Sequence, residues 1–390
     1  SHGVAVPEGS RKDAAEVLMG DAPVNMEAGK VQGLWVTVNV PKDAEPGTYQ
    51  GEVTVTASGL TDAQKLTFTY TLNVASPVLP NATEFKDGFD IELWQNPYAS
   101  AEYYDVTPFS EAHFAILTPI MEKYRDIGGH AITTTIAEDA WARQTYSQNE
   151  VHIPSMVAWS KNAAGEWVFD YTDFDAWIRF NIDEIGIGDK IVCYSTAPWT
   201  NEIRYLDNSG AKQVISKSDT AAWNEGWTAF LTNLMAHMEA NGWKERTYIG
   251  IDERGIDDAA LTLIESVKGT DGKSFKKAGA MDSMDASHQA LAIRIDDLNV
   301  GSMAIKGSRS NFDSMLAARK ETGLRTTVYS CTGHKPGNFS LSAPGESYWT
   351  MLYSYSVGGT GFLRWAYDSW VADPLRDTSH AKFEAGDCFL

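Results

Sequence analysis

An α/β protein, a TIM-type (β/α)8 barrel preceded by a small all-β sandwich domain, is what the sequence predicts. Three observations point to it. Residues 1 to about 80 read as short strands with no helix between them. From residue 84 onward, eight strand-like segments alternate with amphipathic stretches, the order that a barrel of parallel strands requires. Neither GxGxxG nor a P-loop occurs, which demotes a doubly wound nucleotide-binding sheet to runner-up.

The elements follow in order. Leu34-Trp35-Val36-Thr37-Val38-Asn39-Val40 alternates with period two, as a half-buried strand does. Residues 41–49 are rich in turn formers, with Pro41, Pro46 and Gly47. Residues 51–56 and 66–74 supply two more strands, and short strands at this spacing argue for a sandwich. Pro77-Val78-Leu79-Pro80-Asn81 reads as a linker, so the sandwich is assigned to residues 1–83 and the barrel to 84–390. The predicted barrel strands are 88–94, 130–135, 190–195, 246–251, 278–281, 292–295, 324–330 and 361–366. Helices are predicted over 111–126, 171–185, 220–240, 257–267, 312–321 and 347–356.

Composition narrows the function classes. A net charge of −20 disfavours nucleic acid or an anionic membrane as the main partner. No apolar run reaches the roughly 18–20 residues of a membrane span, so no membrane insertion is expected. A protein acting on a neutral ligand outside the cell or in the periplasm fits this balance. Cys193, Cys331 and Cys388 lie far apart, and Cys331 with His334 makes only a lone CxxH. No metal motif and no cofactor motif is present, and the lack of GxSxG weakens a serine hydrolase reading. No signal peptide is visible. The chain opens at Ser1-His2-Gly3 in mid-sequence style and stops at Cys388-Phe389-Leu390 within a strand-like run, so it reads as a fragment at both ends, without its leader and truncated at the C-terminus.

In a barrel, the residues just after each strand converge on one pocket. Tyr248-Ile249-Gly250-Ile251-Asp252-Glu253 is an apolar strand that ends in two adjacent carboxylates. One such acid can donate a proton while the other stabilises positive charge, the pairing that glycosidic bond cleavage needs. The bland alternative is a solvated strand end whose Glu caps the next helix. The other ends carry Trp94-Gln95-Asn96-Pro97-Tyr98, Thr133-Thr134-Thr135, Thr196-Ala197-Pro198-Trp199, Asp282, Tyr329-Ser330-Cys331-Thr332 and Arg364-Trp365-Ala366-Tyr367-Asp368; Arg254 follows the acid pair. Flat apolar faces with planar polar groups suit a sugar. Trp94, Gln95, Asn96, Trp199, Tyr329, Trp365, Tyr367 and Asp368 are therefore the substrate-binding candidates. Trp94 and Trp365 read equally well as barrel core. His130 reads as a structural histidine, Arg364 as the partner of a barrel acid, and Asp257, Asp258, Asp173 and Asp175 as acids at helix N-termini.

Three segments carry a family resemblance. The run from Tyr248 to Glu253, the segment Trp94-Gln95-Asn96-Pro97, and above all Gly361-Phe362-Leu363-Arg364-Trp365-Ala366-Tyr367-Asp368-Ser369-Trp370 resemble glycoside hydrolase family 123. The Trp35-Val36-Thr37-Val38 and Pro46-Gly47-Thr48-Tyr49-Gln50-Gly51 segments resemble the β-sandwich that precedes that family's barrel. The resemblance implies an exo-acting, retaining β-N-acetylgalactosaminidase with substrate-assisted chemistry. Its partner is a glycan, from a glycosphingolipid or another N-acetylhexosamine-terminated chain. It also implies that Glu253 is the general acid/base and that Asp252 orients and stabilises the 2-acetamido group.

The adjacency of the acids agrees with that division. Retaining enzymes with two carboxylates hold them about 5–5.5 Å apart across the sugar. Neighbouring residues on one strand face opposite ways and do not easily flank one bond. When the acetamido oxygen is the nucleophile, one acid need reach the leaving oxygen, and the other holds the amide N–H. Glu253 is then expected to have a raised pKa, from the nearby negative Asp252 and apolar walls, and Asp252 to stay ionised through hydrogen bonding to the acetamido group. Two other readings stay open: a glycosidase with a distant second carboxylate, Glu92 or Asp368, and a non-catalytic carbohydrate-binding protein on the same fold.

Overall fold

The computed structural model describes residues 24–25, 28–29, 31–59, 61, 64–145, 153–253, 256–375, 380 and 386. Arg254, Cys388 and both chain ends lie outside the described residues. The chain divides into two compact units, one reaching Asn81 and the other running on from Ala82.

In the first unit, β1 (Gly47–Val55) pairs antiparallel with β2 (Leu66–Val74), in register from Gly47 opposite Val74 to Val55 opposite Leu66. The hydroxyls of Thr54 and Thr67 meet across the pair at 3.2 Å. Two sequence expectations are corrected here. The strand begins at Gly47, inside the segment read as a turn-rich link. Residues 34–40, expected as a strand, join no sheet among the described residues. Period two describes a strand only where a neighbour completes the hydrogen-bond ladder.

The second unit contains, in chain order, α1 (Ala82–Phe85), β3 (Asp90–Leu93), α2 (Pro97–Tyr103), α3 (Glu111–Asp126), β4 (Ala131–Thr135), β5 (Ala158–Lys161), β6 (Trp167–Asp170) and α4 (Thr172–Arg179), the last extended by wide π turns over Phe180–Ile185. There follow β7 (Lys190–Tyr194), β8 (Glu202–Leu206), β9 (Lys212–Ser216), α5 (Thr220–Ala240), β10 (Thr247–Ile251), α6 (Asp258–Ser266), β11 (Lys276–Met281) and α7 (Ala286–Ala292). The unit continues through β12 (Asp297–Gly301), α8 (Ser302–Gly307), α9 (Arg309–Glu321), β13 (Arg325–Tyr329), α10 (Pro344–Ser356) and β14 (Gly361–Arg364).

Eight of these strands are parallel and lie in the order β3-β14-β13-β12-β11-β10-β7-β4. A parallel bridge from Ile91 to Gly129 brings the two ends together. The Thr133 N–H donates to Gln95 Oε1 at 2.8 Å across the same seam. This is the expected TIM-type barrel, nearly closed. The sixth strand is corrected from 292–295 to Asp297–Gly301, because residues 286–292 are helical. Asp297 and Asn299 disguise it in sequence, since both are buried in a strand that reads as polar. A four-stranded sheet in the order β6-β5-β8-β9 was also not anticipated; it is built from the connections that follow β4 and β7.

Helix starts follow local chemistry. Asp257 caps α6 by accepting the Ala260 N–H at 2.7 Å, as its position suggested. Asp173 and Asp175 lie inside the first turn of α4, and Asp170 holds the preceding turn by accepting from Thr172 N–H at 2.9 Å.

Alternation along the strands sorts the residues. Leu93, Ile132, Ile191, Cys193, Ile249, Ile251, Leu298, Val300 and Val328 pack into the large apolar core shared with the helices. Their neighbours face the barrel interior, which is ionic at one end. Lys190 there pairs with Glu92 and Asp297 and lies 3.5 Å from Asp90. Asp90 also accepts from Arg325 at 2.6 Å and meets His130 Nε2 at 2.8 Å. Burial drives the Glu92 carboxyl up, with the charges of Asp297 and Asp90 adding to it. The cations hold Asp90 well below the usual carboxylate range, although burial opposes them. His130 is thus structural, as the sequence suggested.

Candidate functional site

The acid pair stands at the opposite end of the interior. Tyr248, Gly250 and Asp252 share one parity on β10. The Tyr194 ring from β7 lies over Gly250, where a Cβ would come within 2.6 Å of it. Only glycine leaves room for that ring, which explains the glycine in the motif. β10 ends at Ile251, and Asp252 Oδ1 accepts the Glu253 N–H at 2.8 Å, turning the chain off the sheet.

Asp252 is buried, and its carboxyl is pushed up to about 7. Burial is the main cause and the negative charge of Glu253 the next, while the Glu253 N–H and Trp199 favour the ionised form. In the free enzyme Asp252 thus exchanges its proton near neutral pH; the expectation that it stays ionised concerns the bound acetamido group. Glu253 is half-buried, and the Tyr329 hydroxyl from the end of β13 donates to its Oε1. Burial and the Glu253 charge hold the Tyr329 phenol well above its usual range, so it remains a donor.

Aromatic side chains gather beside these acids. Trp94 packs on Tyr194 at 4.5 Å, on Trp141 at 5.5 Å and edge-on to Trp365 at 5.8 Å. Trp141 and Trp365 lie 5.0 Å apart. Tyr329 belongs to the same cluster, and Trp199 packs against it. Trp94 is buried, with its indole N–H donating to Glu92 Oε1 at 3.2 Å, so it packs as barrel interior. Trp365 and Trp199 are half-buried and keep accessible surface. Buried Arg364 donates to the Trp365 carbonyl and lies 4.3 Å over the Phe339 ring. It holds the tryptophan segment and was not read that way from sequence.

The remaining candidates make contacts with the scaffold. Gln95 spans the barrel seam through Thr133 and Leu93. Asn96 caps α2 by position, and its side chain donates to Ser369 Oγ at 3.2 Å. Asp368 is fully buried and accepts the Asn96 N–H at 2.5 Å; burial pushes it up to about 7. Tyr367 points away to α3, donating to the Ile120 carbonyl at 2.6 Å and packing on Tyr124. The structure thus joins Asp252, Glu253, Trp94, Trp199, Tyr329 and Trp365, and it ties Gln95, Asn96, Tyr367 and Asp368 to the frame.

Trp141 and Tyr194 were missed. Trp141 sits in a loop with no periodicity, and Tyr194 is signalled only by its inward parity with Lys190 and Val192. Among the described residues the carboxylates of Asp90, Glu92 and Asp297 also converge, but the Lys190 ammonium already lies between them.

Comparison with known proteins follows the same lines. Residues 94–390 match the family model of the glycoside hydrolase 123 catalytic domain, and residues 8–57 match that of the glycoside hydrolase 123 N-terminal domain. A search of curated proteins returned no match. Among solved structures, the chain is similar to a family 123 glycoside hydrolase from Clostridium perfringens, studied for the details of glycolipid glycan hydrolysis. The two share 39% identity with a TM-score of 0.81, over 90% of this chain and 61% of that one. The present chain thus spans about three fifths of that relative. A glycoside hydrolase family 5 enzyme from Prevotella bryantii B14 matches at 9% identity and a TM-score of 0.38, over 75% of this chain and 92% of that one. A likeness that weak supports no functional statement.

Proposed function

The chain belongs to glycoside hydrolase family 123, and on that premise we propose that it removes terminal β-linked N-acetylgalactosamine from glycans, exo-acting and with retention, using the substrate's acetamido group as nucleophile. Glu253 donates a proton to the glycosidic oxygen as the acetamido oxygen attacks the anomeric carbon. An oxazoline forms and the aglycone leaves with the proton. Water then opens the oxazoline while Glu253 takes a proton back. Asp252 accepts the acetamido N–H and balances the positive charge of the ring as it forms. Trp365 and Trp199 supply faces for the sugar.

The observation that carries this reading is the acid pair itself, with Asp252 buried and Glu253 half-buried beside it. Asp252 is pushed up to about 7 by burial and by the negative charge of Glu253, so it takes up and releases a proton near neutral pH. An acetamido N–H donated to Asp252 favours its ionised form and moves that proton to Glu253, where the leaving group needs it. The acids that a two-carboxylate route requires are engaged elsewhere: Glu92 by Lys190 and Trp94, Asp368 by the Asn96 N–H. A thiazoline mimic of the oxazoline is expected to inhibit competitively and much more tightly than N-acetylgalactosamine. Inhibition no tighter than by the free sugar defeats the assisted route.

Tyr329 serves here as a positioning residue for Glu253. Tyr329→Phe is expected to lower kcat about tenfold with KM nearly unchanged, the cost of one hydrogen bond to a charged group. The basic limb of the kcat profile is expected to shift upward, because the lost donor favoured the Glu253 carboxylate. A KM effect with kcat intact places Tyr329 on the substrate instead.

A further inference from the structure

Helix α10 is built inside out. Its buried positions carry small polar residues, Thr350 and Ser354, whose hydroxyls donate to the Glu346 and Gly361 carbonyls. Its outward positions carry Tyr348, Trp349, Met351, Leu352 and Tyr355. Tyr348 is 77% exposed and Tyr355 73%, the highest values of any aromatic side chain among the described residues. At about 100° per residue these five lie on one face, and Tyr348, Leu352 and Tyr355 form its central line. We propose that this face is the contact between two copies of the chain, packed antiparallel about a twofold axis at Leu352. The proposal does not rest on the glycosidase reading.

Charge selects the occupant. From Ser347 to Thr360 the sequence has no charged residue, although the whole chain carries a net charge of −20. Two bodies so acidic repel each other, and a close contact costs least where both patches are free of carboxylates. Charged groups flank the two ends of the face. Lys335 pairs with Glu346 at 2.9 Å beside the first turn, and Lys320 stands against Gly358 past the last. An apolar centre with a polar rim is the anatomy of a protein interface. A lipid surface fits less well, because helices that lie on membranes are rich in lysine and arginine along their polar face.

The stripe is also suited to pairing with itself. Tyr348 precedes Leu352 by one turn, and Tyr355 follows it by nearly one. A twofold axis through Leu352 sets Tyr348 of each copy beside Tyr355 of the other, with the two Leu352 side chains between them. At about 150–250 Å² for a whole aromatic side chain, the exposed parts of the five residues amount to on the order of 500 Å². A standard interface takes roughly 800 Å² from each partner, so the stripe supplies the greater part of one.

Sedimentation of the full chain, from low to high micromolar concentration, tests the contact. The parent is expected to be a dimer that dissociates on dilution. Leu352→Glu sets two carboxylates against each other on the axis and is expected to weaken the dimer at least about 100-fold; Leu352→Lys is expected to do the same. Mixing the two variants is expected to restore dimers holding one of each, which requires residue 352 to meet itself. Leu352 is exposed, so both variants are expected to keep the parent's circular dichroism, and the loss of dimer is then not a loss of fold. A parent that stays monomeric at high micromolar concentration overturns the proposal. A dimer indifferent to both substitutions, or a mixture that stays monomeric, overturns it equally. A monomer that binds phosphatidylcholine vesicles through Leu352 also overturns it and assigns the face to lipid.

Discussion

Glu253→Gln is expected to lower turnover of an N-acetylgalactosamine-terminated glycan by about 10²–10⁴-fold, the usual worth of a positioned general acid and base. The amide keeps the size of the carboxyl and can still accept from the Tyr329 hydroxyl, so the barrel and the sugar site are expected to persist. Titration with N-acetylgalactosamine checks that they do. The loss is expected to depend on the leaving group. A sugar alkoxide needs protonation as the bond breaks, whereas a dinitrophenolate does not. For a dinitrophenyl glycoside the oxazoline-forming step is expected to survive almost intact. The deficit then falls on the later step, where Glu253 activates water, and a pre-steady-state burst of phenolate is the signature. Equal loss across leaving groups of very different acidity sinks the assignment of Glu253 as the acid. Unchanged turnover places the acid on another residue, and binding without turnover by the parent protein returns the chain to the carbohydrate-binding reading.

The acid pair was legible because its signal is local. An apolar strand that stops at two carboxylates is visible in six residues, and the eightfold alternation places it at a barrel mouth. What lay beyond the sequence depends on where each strand stops. Carried past the strand ends, strand parity alone puts Glu253 with Ile249 and Ile251 on the helix side, against its reading as a pocket acid, and Tyr367 with Leu363 and Trp365 on the pocket side, where it was read. The structure reverses both. β10 ends at Ile251 and β14 at Arg364, so the pleat no longer sets direction two residues later. Glu253 turns in to Tyr329, and Tyr367 turns out to α3. The inserted sheet was hidden for a different reason. Its strands are short and its hairpin is largely polar, so Glu202-Ile203-Arg204-Tyr205-Leu206 has no stronger pattern than a loop. β12 was displaced because the barrel interior at its ionic end selects Asp297 and Asn299, residues that a hydrophobic pattern passes over. Gly250 was seen but not explained; its partner, the Tyr194 ring, is more than fifty residues away in the chain.

Asp252→Asn is expected to separate activity from stability, and to do so with a pH dependence. Losing the carboxylate that receives the acetamido N–H removes charge stabilisation from the oxazolinium-like transition state. About 10²–10³-fold in kcat is the scale of such a loss. Stability moves the other way. The Asp252 carboxyl stands near 7 in the folded protein, against about 3.9 for an unfolded aspartate. Between those values the folded state holds the extra proton, so this residue's contribution falls as pH rises and is fully lost above about 7. Below about pH 4 the group is neutral in both states, and asparagine is expected to change little. Above pH 7 the substitution removes a buried negative charge next to Glu253. The gain is up to about 4 kcal/mol, because each tenfold difference in proton affinity between the folded and unfolded states is worth about 1.4 kcal/mol. Melting curves at pH 5 and pH 8 test this, and intrinsic fluorescence follows the barrel well because Trp35 is the only tryptophan before residue 84. The gain is expected to be several degrees larger at pH 8 than at pH 5. A pH-independent shift means that Asp252 is not the group holding the proton. In the parent enzyme the same titration sets the basic limb of kcat/KM near 7, since kcat/KM reports the free pair. In kcat the limb is expected at higher pH, because bound substrate leaves the proton on Glu253 beside an ionised Asp252. A limb common to both profiles contradicts proton transfer within the pair on binding.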